Sequence, residues 1–186
     1  MTRVAASYFD ALYERTADPW NFAASPYERA KYEHTARILG GVGRLLEVGC
    51  SIGELTAVLA AQAEFVLAID ISARAVAIAR TRLAAVAGVK VRRASFPEAM
   101  PAGDWDAIVC SEVLYYLDRD ALDAAGARLA ASLSGGARVL LVHWRLSAPS
   151  NPLQGDEVHD ILCERLSRWH ARDERCPRYR MDLLHA

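Results

Sequence analysis

Apolar positions along this chain follow two rhythms. Short apolar runs at residues 45–48, 65–70, 89–92, 107–111 and 138–142 lack a polar alternate face, as strands buried on both sides of a parallel sheet do. Between them, helical spacing fills 53–62, 73–87 and 119–133, with Ser72 and Asp118 at the capping positions of the last two. Strands alternating with helices predict βαβ units with right-handed crossovers. Two further helices, about 7–16 and 26–39, precede the first strand, separated by the turn Asp18-Pro19-Trp20. Ser25 supplies a cap for the second of these, Pro26 its first position and Glu28 a capping-box acid, while Gly40-Gly41 stop it. After the fifth strand, a polar loop (145–155) leads to a helix (156–166). Two extended stretches, 170–175 and 178–184, then close a hairpin around Pro177. No linker interrupts the pattern. We expect one α/β domain over 1–186, with a helical cap (1–40) on a sheet-containing core (44–186).

Composition narrows the class. Apolar residues make up 53% and charged residues 24%, a globular balance. With 22 Lys plus Arg against 23 Asp plus Glu, the net charge is −1, without the basic footprint of a nucleic-acid or membrane-surface binder. Cys50, Cys110, Cys163 and Cys176 are scattered, which fits neither a zinc ribbon nor a disulfide scaffold and suits reduced thiols in a cytoplasmic protein. The N-terminal stretch turns polar too early for a secretory signal. No uncharged apolar run reaches the roughly 18 residues that cross a bilayer, so no membrane insertion is expected.

The chemistry concentrates at the first strand. Leu45-Leu46-Glu47-Val48-Gly49-Cys50-Ser51-Ile52-Gly53-Glu54 reads as a buried strand, a glycine-containing turn and a helix start. Gly49 and Gly53 carry no side chain to keep a ligand off the backbone. Asp70, ending the second strand, can accept hydrogen bonds from both hydroxyls of a ribose. Turn and acid together place a nucleoside at the carboxyl edge of the sheet.

Glu47-x-Gly49-x-Ser51-x-Gly53 resembles motif I of the class I S-adenosylmethionine (SAM) methyltransferases, E/D-x-G-x-G-x-G, with Ser51 at the middle glycine. The resemblance extends over nearly the whole chain. It implies a Rossmann-like fold: a mostly parallel seven-stranded sheet whose antiparallel last strand is inserted, with an N-terminal helical cap. It also implies SAM as cofactor and S-adenosylhomocysteine as product. On this resemblance Glu47, Gly49, Cys50, Ser51 and Gly53 line the donor, and Asp70 with Ile71 meets its ribose. Ser95 and Phe96 fall where the family contacts adenine, and Ser111-Glu112-Val113-Leu114-Tyr115-Tyr116-Leu117 borders the transferred methyl. Three segments narrow the likeness to the NodS family of N-methyltransferases: Asp18-Pro19-Trp20-x-Phe22-x-x-Ser25-x-Tyr27-Glu28; Ser111 to Tyr116; and His143-Trp144-Arg145 with Pro152-Leu153-x-Gly155-Asp156-x-Val158-His159. That family is associated with methylating the free amine of a deacetylated glucosamine unit in lipochitooligosaccharides. The expected acceptor is accordingly a small-molecule amine such as an amino sugar, handled by a monomer or homodimer.

Methyl transfer to an amine needs alignment and a neutral nucleophile. Glu112, Tyr115 and His143 emerge at the carboxyl edge as candidate catalytic groups. His143, with an ordinary pKa of about 6.5, reads equally as a base or as a core histidine bonded to backbone. Tyr115 and Tyr116 offer an aromatic wall for a sulfonium. Trp144, Arg145, Asp156 and His159 are candidate acceptor-binding residues, although Asp156 also suits a helix N-terminus. Tyr27, Lys31 and His34 share one helical face and, with Trp20 and Phe22, could fold over the cofactor as a lid. His159 and Cys163 make only two ligands, so no metal is expected. Three alternatives remain at this point: O-methylation, a catalytically silent SAM-binding protein, and a nicotinamide-dependent oxidoreductase.

Overall fold

In the computed structural model, which describes residues 2–186, two helices come first: α1 (Ala6–Arg15) and α2 (Pro26–Leu39). They are followed by β1 (Val42–Val48), α3 (Glu54–Leu59), β2 (Ala63–Asp70), α4 (Ala73–Arg82), β3 (Val89–Arg93) and β4 (Ala107–Ser111). A short 3-10 turn, Leu114–Tyr116, leads to α5 (Arg119–Ser134), β5 (Arg138–Trp144), α6 (Gly155–Arg165), β6 (His170–Arg175) and β7 (Tyr179–Leu184). The strands form one sheet in the order β3-β2-β1-β4-β5-β7-β6. The first five pair in parallel, and β7 is inserted antiparallel between β5 and β6. This is the mostly parallel seven-stranded sheet with an inserted antiparallel strand that the family resemblance implied, built from the βαβ units that the sequence pattern predicted.

Local chemistry sets the boundaries. Ser25, Ser72 and Asp118 each accept a backbone N–H from the first turn of the helix they precede, at 3.3, 3.1 and 3.0 Å. Glu28 departs from its expected capping-box role, because its carboxylate turns to Lys31 instead. α4 ends at Arg82, five residues short of the expected span. β5 runs two residues further than expected, so His143 and Trp144 belong to the strand.

Helices cover both faces of the sheet. Leu122, Leu129 and Leu133 of α5 and Val158 and Leu162 of α6 pack on Leu46, Ile108, Val139 and Leu141. On the other face, Tyr32, Ala36 and Leu39 of α2 join Leu55 and Leu59 of α3 against Leu45, Val109, Leu140 and Val142. α2 is therefore built into the sheet packing along one side, and only its first turns are free to serve a cleft. Every residue of β4 is buried, as a central strand covered on both faces requires. The charged strand β6, largely exposed, closes the sheet with an edge unsuited to further pairing. Among the described residues, no helix is long and apolar enough to cross a membrane.

One close approach fixes how the loop after β5 returns. A Cβ at Gly155 would stand 1.9 Å from the Trp144 carbonyl oxygen, so α6 starts directly against the end of β5. Gly155→Ala should therefore destabilise the fold by about 1–3 kcal/mol, as overpacking against backbone does. Urea denaturation would measure this, and a midpoint equal to that of the parent chain would contradict the packing described.

Candidate active site

A cleft of about 620 Å³ opens at the carboxyl ends of β1, β2, β4 and β5, roofed by α1 and the start of α2. Its floor is the turn after β1. Gly49, Ser51 and Gly53 have φ of +80°, +51° and +86°, all left-handed. For Ser51 this conformation carries a penalty of roughly 1–2 kcal/mol that glycine would escape. Two contacts hold it there: its N–H donates to Asp70 Oδ2 at 2.9 Å, and its Oγ lies 2.6 Å from the Tyr13 hydroxyl on α1. The glycines answer to packing more than to a ligand. A Cβ on Gly49 would meet Val113 at 2.8 Å, and one on Gly53 would meet Leu83 of α4 at 2.8 Å. Gly53, expected to line the donor, faces α4 and lies outside the cleft lining.

Asp70 accepts a second N–H, from Ser72 at 2.8 Å. Burial raises its carboxyl above the ordinary range, and the N–H groups of Ser72 and Ser51 oppose that rise. Each carboxylate oxygen keeps a further lone pair to offer, the capacity a ribose diol needs. Glu47, at the end of β1, is fully buried in the cleft floor, and its Oε2 has no hydrogen-bond partner. Burial pushes it up to about 7, only partly countered by the Thr56 hydroxyl. An orphaned carboxylate beside Asp70 fits a ligand carrying both a cationic amino group and a ribose, as SAM does. Ile71, Cys50 and Phe96 also line this half. Burial holds the Cys50 thiol well above its usual pKa, so the group is inert.

The cap side is aromatic. Trp20 stacks on Phe22 at 5.5 Å and meets Tyr13 edge-on at 5.8 Å. Tyr27 and Lys31 reach the cleft, whereas His34, on the same helical face, turns to Tyr179 (2.8 Å) and Glu174 (2.9 Å) outside it. The Tyr27 hydroxyl is buried without a partner, and the Arg178 guanidinium stands 5.3 Å from its ring centre.

The far wall turns on Glu112, whose φ of +54° is again left-handed. Its Oε1 accepts from Lys31 Nζ at 2.5 Å, and its Oε2 accepts from the Tyr115 hydroxyl at 2.7 Å and the Trp144 N–H at 2.9 Å. Lys31 is only 2% exposed. Burial works against its charge, but Glu112 and Glu28 raise its pKa on balance and keep it an ammonium. Burial also raises the Tyr115 phenol well above its ordinary value, so it remains a donor. Ser111, Tyr116 and Trp144 complete this wall.

Several expected site residues lie elsewhere. His143 is completely buried and does not line the cleft; its Nε2 accepts the Leu114 N–H at 3.1 Å. Burial drives its pKa well below the ordinary value, with the Lys31 ammonium adding to the fall, and a ring shut away from the cleft does not act as the base. His159 is buried behind it, 3.0 Å away, not in an acceptor pocket. Arg145 and Asp156 pair with each other at 3.1 Å outside the lining. The Ser95 hydroxyl donates to Glu98 at 3.3 Å, away from the cleft. Residues not anticipated include Tyr13, Glu28, Tyr32 and Arg178, all of which line it. The i, i+4 pair Phe9 and Tyr13 was a usable signal for α1, since both pack on Ile52 of the turn.

The sheet order and the cleft at its carboxyl edge are those of the class I methyltransferase fold. Residues 11–141 match the family described as Nodulation protein S (NodS), and the chain belongs to that family. Nodulation protein S of Sinorhizobium fredii is 32% identical over 153 residues, covering 80% of this chain. The chain spans 64% of that relative's length and 66% of the corresponding protein from Bradyrhizobium diazoefficiens. Among solved structures, the N-methyltransferase NodS of Bradyrhizobium japonicum WM9, in complex with S-adenosyl-L-homocysteine, superposes with a TM-score of 0.82. It is 22% identical, over 94% of this chain and 96% of that one. A putative methyltransferase from Pseudomonas syringae is 34% identical, with a TM-score of 0.68, over 94% and 99%.

Glu47 yields a prediction for the ligand-free protein. Its carboxyl ionises near 4.5 in the unfolded chain and at about 7 when folded. Between those values the folded state holds a proton that the unfolded state has lost, so stability falls as pH rises, by about 3 kcal/mol in all. Glu47→Gln should melt higher than the parent at pH 8, with the gap closing toward pH 4.5. A difference in Tm that does not vary with pH would contradict this.

Proposed function

We propose that this chain is a SAM-dependent N-methyltransferase acting on a small-molecule amine, with an amino sugar as the leading acceptor class. One observation carries the amine reading: two carboxylates, Glu28 and Glu112, share the single ammonium of Lys31 at the cleft wall. Counted as formal charges, the trio carries one net negative charge, set against the Arg178 guanidinium beside the Tyr27 ring. A cationic acceptor is drawn to that wall more strongly than a neutral hydroxyl, and an anionic acceptor is repelled by it.

When bound, SAM supplies the electrophilic methyl group. Asp70 grips the ribose, and Glu47, with its unfilled acceptor, meets the amino-acid end. Trp20, Phe22 and Tyr13 cover the cleft and exclude water. Glu112 has three donors already, so it orients the acceptor and holds charge in place. Glu28 keeps acceptor capacity: its Oε2 accepts no well-aligned hydrogen bond, although Lys31 Nζ lies 2.8 Å away. It is the group placed to take the amine's proton, and the Tyr27 hydroxyl is free to hydrogen-bond the acceptor. The NodS relatives support the same reaction, and the resemblance of the Trp20–Glu28 and Ser111–Tyr116 segments supports the amino-sugar class.

Incubation with methyl-labelled SAM and a panel of amines that includes deacetylated chitooligosaccharides tests the proposal. Mass spectrometry should place the label on nitrogen. A label on oxygen, or no transfer to any amine, would overturn it. Asp70→Ala should weaken S-adenosylhomocysteine binding by about tenfold to a hundredfold in calorimetry, the scale of lost hydrogen bonds to a charged group. Unchanged affinity in the folded variant would remove Asp70 from the cofactor site.

A further inference from the structure

Behind the cleft runs a buried chain of side chains that the proposed reaction does not touch. It begins at the Leu114 N–H, which donates to His143 Nε2 at 3.1 Å. His143 Nδ1 lies 3.0 Å from His159 Nε2, and His159 Nδ1 lies 2.5 Å from Asp182 Oδ2. His143, His159 and Asp182 are each wholly buried, on β5, α6 and β7. The far end is held in turn, because His170 Nε2 reaches Asp182 Oδ1 at 2.6 Å and the Arg180 guanidinium stands 2.8 Å from Oδ2.

The chain has one direction. A backbone N–H can only donate, so His143 Nε2 carries no proton and its Nδ1 must. That N–H donates to His159 Nε2, which leaves the His159 proton on Nδ1, donating to the Asp182 carboxylate. A backbone amide at one end and a carboxylate at the other thus set both tautomers. A proton wire to the active site is excluded, since the inner end is an amide N–H that does not give up its proton.

What the chain holds is the turn that carries Glu112. Three consecutive residues of β5 grip this turn. The Val142 carbonyl accepts the Glu112 N–H at 2.8 Å, the His143 ring accepts the Leu114 N–H, and the Trp144 N–H donates to Glu112 Oε2. Between them Glu112 keeps its left-handed backbone, a conformation that persists only where surrounding contacts over-determine it.

We propose that His143, anchored through His159 to Asp182, is a positioning residue that locks the 112–116 turn and so fixes the Glu112 carboxylate against Lys31 and Tyr115. It acts through the Leu114 amide and touches neither cofactor nor acceptor. Only the kinetic arm of its test rests on the methyl-transfer reading.

Three measurements on the full chain decide the matter. In 15N NMR of the histidine rings, His143 should be neutral with its proton on Nδ1; the opposite tautomer would overturn the proposal. In a crystal structure of His143→Leu, Glu112 should have left Lys31; a Glu112 still in place would also overturn it. In the methyl-transfer assay, His143→Leu should lower kcat by about tenfold to a hundredfold, the scale of a misplaced group. S-adenosylhomocysteine affinity should stay within about twofold. His143→Gln, whose Oε1 can accept the Leu114 N–H, should restore most of the rate. An equal loss in the Leu and Gln variants, or a loss that merely follows cofactor affinity, would contradict the assignment. If His143→Leu fails to fold, Asp182→Asn interrogates the same chain from its far end, with the same expected split and the same reversal. Should the parent chain transfer no methyl group, the amine reading fails, while the NMR and crystal results still judge the chain.

Discussion

The Glu112 carboxylate ties together the first turns of α2, the turn after β4 and the end of β5 at the wall of the cleft. Through Lys31 it binds α2, through the Tyr115 hydroxyl it binds its own turn, and through the Trp144 amide it binds the end of β5. An ion pair this sheltered is not a source of net stability by itself, because removing two charges from water is expensive. Its effect is to specify one arrangement. If Glu112 moved, Lys31 would be left buried beside Glu28 alone, and the first turns of α2 would lose their hold on the sheet edge.

The cleft divides accordingly. One half is built from the β1 turn, Glu47 and Asp70, where backbone donors and buried acceptors suit a nucleoside bearing a positive charge. The other half is the Glu28–Lys31–Glu112 trio with Tyr27, Tyr115 and Trp144, the wall to which the proposed function assigns the acceptor. α1 spans the first half through the Tyr13–Ser51 contact, and α2 spans the second through Lys31. On the proposed reading each cap helix answers to a different ligand, and their joint placement sets the volume in which a methyl carbon and an amine would approach.

Much of this was legible in the residues, and the misses share a cause. The strand and helix rhythm was legible because parallel strands buried on both faces read as plain apolar runs, while the inserted antiparallel strand came from the family resemblance. Asp70 was legible because ligands of open α/β sheets bind at the carboxyl ends of the strands, and Glu47 because it opens the motif that the turn resembles. Their partners were not. Nothing in the spacing of Lys31 announces that it pairs with Glu112, 81 positions along the chain, because that pairing is decided by how α2 crosses the sheet. His143 misled for a related reason. A histidine at a strand end signals proximity to the site, but whether its ring turns toward the cleft or behind it depends on the side-chain alternation of β5 and on the presence of His159 and Asp182 from distant elements. Gly53 was assigned to the ligand on local grounds, and its neighbour turned out to be Leu83 of α4.

The most direct test is a crystal structure of the chain with S-adenosylhomocysteine and an N-acceptor amine bound together. The ribose hydroxyls should lie on Asp70, and the acceptor nitrogen within hydrogen-bond distance of Glu28 or Glu112. An acceptor nitrogen seated away from both carboxylates, or a nucleoside bound without contact to Asp70, would contradict it.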